Sequence, residues 1–127
     1  MIDHLNNEFG KHGITFSAGE GGLPKANIAN TQATAEIYLH GAHVTAFQPL
    51  GGAPVLWMSE IAEFNPPKPI RGGVPICWPW FGGHPTDPDG PQHGFVRNRQ
   101  WSVRRAEDNG DGTTTLVAGL CDDDESR

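Results

Sequence analysis

Long apolar runs are missing from this sequence. Nowhere do the roughly 20 apolar residues of a membrane-spanning helix occur together, and Met1 to Gly10 carries acids where a secretory signal would carry a continuous apolar stretch. Cysteine is almost missing too: Cys77 and Cys121 stand without Cys-x-x-Cys spacing, which supports neither a zinc cluster nor a disulfide framework. Each is read as a small buried apolar residue in a reducing compartment, and the expected location is the cytoplasm. Positive charge is scarce. Nine Lys and Arg against fifteen Asp and Glu leave a formal charge of -6, the wrong sign for general attraction to nucleic acid or to an anionic membrane. A basic site must therefore be local. Gly19-Glu-Gly-Gly is too short for a dinucleotide fingerprint, and no βαβ pattern surrounds it.

What is present is turn chemistry. Seventeen Gly and eleven Pro, dispersed through 127 residues of which 36% are hydrophobic, predict many short elements joined by tight turns around one core. A domain of this size buries roughly two-thirds of its unfolded surface. Ile2, Leu5 and Phe9 have helical spacing and predict one or two turns of helix as an appendage, so residues 1–12 are read as an N-terminal extension and 13–127 as the domain. From Gly13 the period becomes two. Ile14 and Phe16 alternate with Thr15 and Ser17, and Ala33, Ala35, Ile37 and Leu39 alternate with polar residues and Tyr38, giving two half-buried strands. Val44 to Gln48 and Val55 to Met58 are shorter strand candidates. Trp101 to Glu107 and Thr113 to Leu120 flank Asp108-Asn109-Gly110-Asp111-Gly112, a hairpin turn by composition. The chain reads as an antiparallel, all-β sheet protein. Its last residues, Asp122 to Arg127, read by composition as a solvated acidic tail.

Between the two halves, Asn65 to Gly94 holds eight of the eleven prolines together with Ile70, Val74, Ile76, Trp78, Trp80 and Phe81. Proline lacks the backbone donor a central strand needs, yet the segment is too apolar to be a disordered linker. It is read as an ordered loop and edge system, where an all-β scaffold commonly carries its binding site. Within it, Arg71 precedes Gly72-Gly73-Val74-Pro75, a constrained backbone on which a planar guanidinium can grip phosphate or carboxylate. Trp78, Trp80 and Phe81 offer an apolar or stacking wall. Farther on, Gln92 and His93 supply neutral donors and acceptors for sugar hydroxyls, and Arg97 supplies a second fixed positive charge. Two arginines around an amide and aromatic pocket point to a polar ligand bearing an anion.

Arg71-Gly-Gly-Val-Pro-Ile-Cys-Trp-Pro-Trp-Phe-Gly82, followed by Gln92-His-Gly-Phe-Val-Arg-Asn98 and Trp101, closely resembles the paired signature of hexose-6-phosphate mutarotases (glucose-6-phosphate 1-epimerases) of the aldose 1-epimerase superfamily. His40-Gly-Ala-His-Val-Thr-Ala-Phe47 and Pro54-Val-Leu-Trp-Met-Ser59 look like that family's early hairpins. The resemblance runs from about Gly13 to the end, with Val96 where Ala is more usual, a conservative change. It implies an antiparallel β-sandwich, the galactose mutarotase-like supersandwich, of which this chain would be the N-terminal portion. It implies an isomerase that interconverts α and β anomers of hexose 6-phosphates without metal or organic cofactor. By motif position, Arg71, Gln92, His93 and Arg97 would bind substrate. The family's catalytic His and Glu stand on later strands, so both are expected beyond residue 127, and open strand edges would favour self-association.

Two rival readings come from the residues alone. A non-catalytic sugar-phosphate-binding or carbohydrate-binding module would keep Arg71, Gln92, His93 and Arg97 and dispense with the acid and base. A metal-binding β-barrel would use His40 and His43 with His84 or His93, although His40 and His43 are expected on opposite faces of an extended segment, solvated or capping a turn.

Overall fold

The computed structural model describes residues 1–124 and 126; Glu125 and Arg127, part of the expected acidic tail, lie outside the described residues. The chain forms helix α1 (Ile2–Phe9) and strands β1 (Ile14–Ala18), β2 (Pro24–Ala29), β3 (Ala33–Tyr38), β4 (His43–Pro49), β5 (Ser102–Asp108) and β6 (Thr114–Gly119). Strands β1 to β4 make an antiparallel meander in chain order, and β5 and β6 make a separate antiparallel hairpin. Among the described residues no helix is long and apolar enough to cross a membrane.

Alternation explains the meander. In β1, Ile14 and Phe16 are buried while Thr15 is exposed, and the register sets Phe16 opposite Ala26 and Ala26 opposite Ile37, a row that faces one core. Leu39, Val103, Ala106 and Leu5 complete that core, with Leu116 packed against it. The core thus lies between the sheet, the β5–β6 hairpin and α1. The helix is no free appendage: burying Leu5 is worth roughly 1.5–3 kcal/mol. Asn6 fastens it further, its side-chain amide donating to Phe16 O and accepting from Phe16 N, both at 2.8 Å.

Three local expectations change. Strand β2 is not among the strands expected from the sequence: Ala26 and Ile28 alternate with Lys25 and Asn27, but the run is short and carries one large apolar residue, and pairing on both sides holds it in the sheet. Tyr38 falls on the polar face of β3 by alternation but is buried, its ring centroid 5.0 Å from that of Phe64 and its hydroxyl accepting from Glu20 N at 3.0 Å. Residues beyond β4 fold back across that face. Val55 to Met58 does not become a strand, because its hydrogen bonds divide between two neighbours. Val55 N donates to Phe47 O at 3.0 Å, while Trp57 O accepts from Gly73 N at 2.8 Å, so no continuous ladder forms.

The proline-rich segment is ordered without regular structure. Isolated bridges join Val44 to Val74, Met58 to Gly72, Trp78 to Gly94 and His40 to Gln100. These stitch the segment to the β3–β4 end of the sheet and to itself, bringing together the two motifs that carry the arginines.

Candidate functional site

Arg71 sits on a backbone held from two directions. Ser59 N donates to Arg71 O at 3.2 Å, Gly73 N to Trp57 O at 2.8 Å, and Val74 N to Val44 O at 2.9 Å. A Cβ on Gly73 would lie 2.1 Å from Val44 O, and its φ of 60° is left-handed, so the second glycine of the motif is required for this approach. The Arg71 side chain is exposed.

The second motif is fixed by a reciprocal pair. His93 N donates to Gly82 O at 2.7 Å, and Gly82 N donates to His93 Nδ1 at 2.9 Å. With Nδ1 accepting, the proton of the neutral ring is on Nε2, which leaves a donor for a ligand. The Phe81 ring lies against the imidazole, centroids 4.6 Å apart. His93 itself has φ 63°, an uncommon conformation for a residue with a Cβ and one that clusters at functional sites. Arg97 lies on a short 3-10 turn, Val96–Asn98, and its Nη2 donates to Gln92 O at 3.1 Å. Its Nε is buried and meets no acceptor among the described residues.

Arg71, Gln92, His93 and Arg97 line one open cavity of about 420 Å³ with Phe81 and Cys77, and Pro69, Ile70 and Pro75 supply its apolar surface. Among the described residues no carboxylate lines it. The nearby Glu63 is engaged by Lys68 at 2.6 Å, and that hydrogen bond holds the Glu63 carboxyl below its usual range, with Arg71 adding a smaller pull. Two guanidiniums, an imidazole N–H and an amide around an acid-free cavity can hold an anionic, hydroxyl-rich molecule.

Of the three aromatic wall candidates, only Phe81 borders this cavity. Trp78 borders a second one of about 490 Å³, lined also by Trp101, Phe95, Leu120 and Cys121, which shares Cys77 with the first. Trp80 packs on His84 and Phe95 instead, at centroid distances of 4.4 and 6.0 Å. Cys121 is exposed rather than buried, and Cys77 is half-buried.

His40 and His43 are neither solvated nor capping; they are buried to 3% and 1% exposure. Their Nε2 atoms lie 2.7 Å from Lys68 O and 2.5 Å from Gly72 O. Both imidazoles therefore reach the same segment, each occupied by a backbone carbonyl. No three or more His, Cys, Asp or Glu among the described residues come together to hold a metal ion. Burial lowers the His43 pKa, opposed in part by its bond to Gly72, and the charges of His40 and Arg97 lower it further. The one sequence signal for this pair was the turn itself, His-Gly-Ala-His between two apolar runs.

The family model for aldose 1-epimerase matches residues 24–126. A protein of Escherichia coli (strain K12) named "Putative glucose-6-phosphate 1-epimerase" is 39% identical over 101 residues, covering 79% of this chain and 33% of that protein. One of the same name from Cenchrus ciliaris is 52% identical over 69 residues, 54% of this chain and 20% of that one. The crystal structure of a "putative mutarotase (YeaD)" from Salmonella typhimurium superposes with a TM-score of 0.83 at 32% identity, covering 92% of this chain and 39% of the other. This chain thus spans about a third of the length of the E. coli relative.

Proposed function

From the premise that this chain belongs to the aldose 1-epimerase family, with the antiparallel strands of its mutarotase-like sandwich, we infer that its cavity binds a hexose 6-phosphate for interconversion of α and β anomers. One observation carries the reading: Arg71 and Arg97, from motifs far apart in sequence, line the same acid-free cavity. Residues 13–127 are then the N-terminal portion of the sandwich domain, and residues 1–12 an extension docked on it.

The chemistry divides the labour. Mutarotation needs an acid at the ring oxygen and a base at the anomeric hydroxyl. A phosphate at the far end of the sugar takes no part in that proton traffic, but its binding energy can orient the ring. We assign Arg71 and Arg97 to the phosphate, and Gln92 and His93 to sugar hydroxyls. Acid and base roles are assigned to none of the four.

Replacing Arg71 or Arg97 by Ala removes a charge-assisted contact worth about 1.5–3 kcal/mol, roughly a tenfold to hundredfold loss of affinity for glucose 6-phosphate. Titration calorimetry on the single variants measures it, and NMR exchange between the α and β anomers, corrected for the spontaneous rate, reads turnover by the same polypeptide. Affinity untouched by either substitution would sink the assignment.

A further inference from the structure

The loop between β3 and β4 makes contacts that its own hairpin does not need. Gly41 and Ala42 both adopt positive φ, 77° and 46°, and on either side of them stand two buried imidazoles. His40 Nε2 meets Lys68 O at 2.7 Å and His43 Nε2 meets Gly72 O at 2.5 Å, so the two rings hold the segment that carries Arg71 by carbonyls on both sides of it. The opposite side of the same loop holds the other arginine. Gly41 N donates to Arg99 O at 2.7 Å, and a Cβ on Gly41 would lie 2.7 Å from Arg97 O. One short loop therefore touches the backbone beneath both guanidiniums.

We propose that His43, with His40, is a positioning residue that sets the place of Arg71 relative to Arg97, and so the spacing of the two guanidiniums that grip the phosphate. This rests on the binding roles inferred above. The tautomer follows from geometry: a carbonyl oxygen can only accept, so His43 Nε2 carries the proton. His43 Nδ1 is buried with no partner among the described residues. A proton there would add a second buried N–H without an acceptor, beside a guanidinium. The ring therefore serves as a neutral donor. Gln reproduces that donor, whereas Leu fills the space and leaves Gly72 O without it.

The test uses the 127-residue chain as wild type, His43→Leu, His43→Gln, Arg71→Ala and the His43→Leu/Arg71→Ala pair. In wild type, nitrogen-detected NMR of the His43 ring is expected to show a protonated Nε2 and a bare Nδ1. His43→Leu is expected to shift or broaden the amides of Arg71, Gly72 and Gly73 and to weaken glucose 6-phosphate about tenfold, and His43→Gln to restore both. With Arg71 already Ala, the His43→Leu penalty should vanish, which a general loss of stability would not produce. The opposite tautomer, an unaltered 71–73 amide pattern in His43→Leu, or a penalty undiminished in the Arg71→Ala background overturns the proposal. Wild type with no measurable affinity, but with the expected tautomer and amide response, overturns the sugar-phosphate reading and leaves loop positioning standing.

Discussion

At the scale of single residues, the charge state of His43 links the site to stability. Its native pKa is below the ordinary 6.5, chiefly through burial, with His40 and Arg97 opposing a further positive charge. An unfolded chain takes up this proton near pH 6.5, whereas the native ring resists it. Between those two values the unfolded state binds more protons, so stability falls as pH drops below about 6.5 and levels off under the native pKa. The slope from one such group is at most about 1.4 kcal/mol per pH unit. Urea denaturation at pH 7.5 and 5.5 should show this acid loss in wild type and a smaller one in His43→Gln, which has no ring to protonate. Equal losses in both proteins would mean that His43 is protonated at the same pH folded and unfolded.

At the scale of elements, the site depends on two irregular segments crossing with almost no clearance. Trp78 and Gly94 form a parallel bridge, and Phe95 N donates to Trp78 O at 3.0 Å. A Cβ on Gly94 would lie 1.8 Å from that same oxygen, at φ 74°, so Gly94→Ala must push the Gln92–Arg97 segment away from Trp78. The expected cost is about 3 kcal/mol or more, seen as a large loss in thermal stability. Gly82→Ala is the control: its φ is 79° but nothing lies within 4 Å, so only backbone strain of about 1–2 kcal/mol applies. Similar losses in the two variants would contradict the steric account. Sequence reading found α1, β1, β3, β4 and the β5–β6 hairpin because periodicity and turn chemistry are local, and it isolated Arg71, Gln92, His93 and Arg97 because their motifs are. It missed β2, whose alternation of Ala26 and Ile28 with Lys25 and Asn27 is short and weakly apolar, and could not see Tyr38 covered by Phe64 or His43 beneath Gly72, since those burials arise from segments far apart in sequence.

At the scale of the whole molecule, two electrostatic effects oppose each other. The net charge of -6 repels a sugar phosphate, while Arg71 and Arg97 attract it. Distance decides between them. A chain of this length has a radius near 14 Å, so the net charge acts from well beyond the Debye length of about 8 Å at physiological salt and is largely screened. A guanidinium in contact with phosphate acts from about 4 Å, where each charge pair is worth about 1 kcal/mol in bulk water and roughly 4 kcal/mol near a protein surface. Attraction should win, and salt should weaken it. Raising NaCl from 0.1 to 1 M, which shortens the Debye length from about 10 to 3 Å, is expected to weaken glucose 6-phosphate binding about threefold to tenfold. Unphosphorylated glucose should show almost no change over the same range. Titration of both sugars at the two salt concentrations separates the cases: tighter glucose 6-phosphate binding in high salt would mean that the global negative charge outweighs the two arginines and that the phosphate does not sit between them.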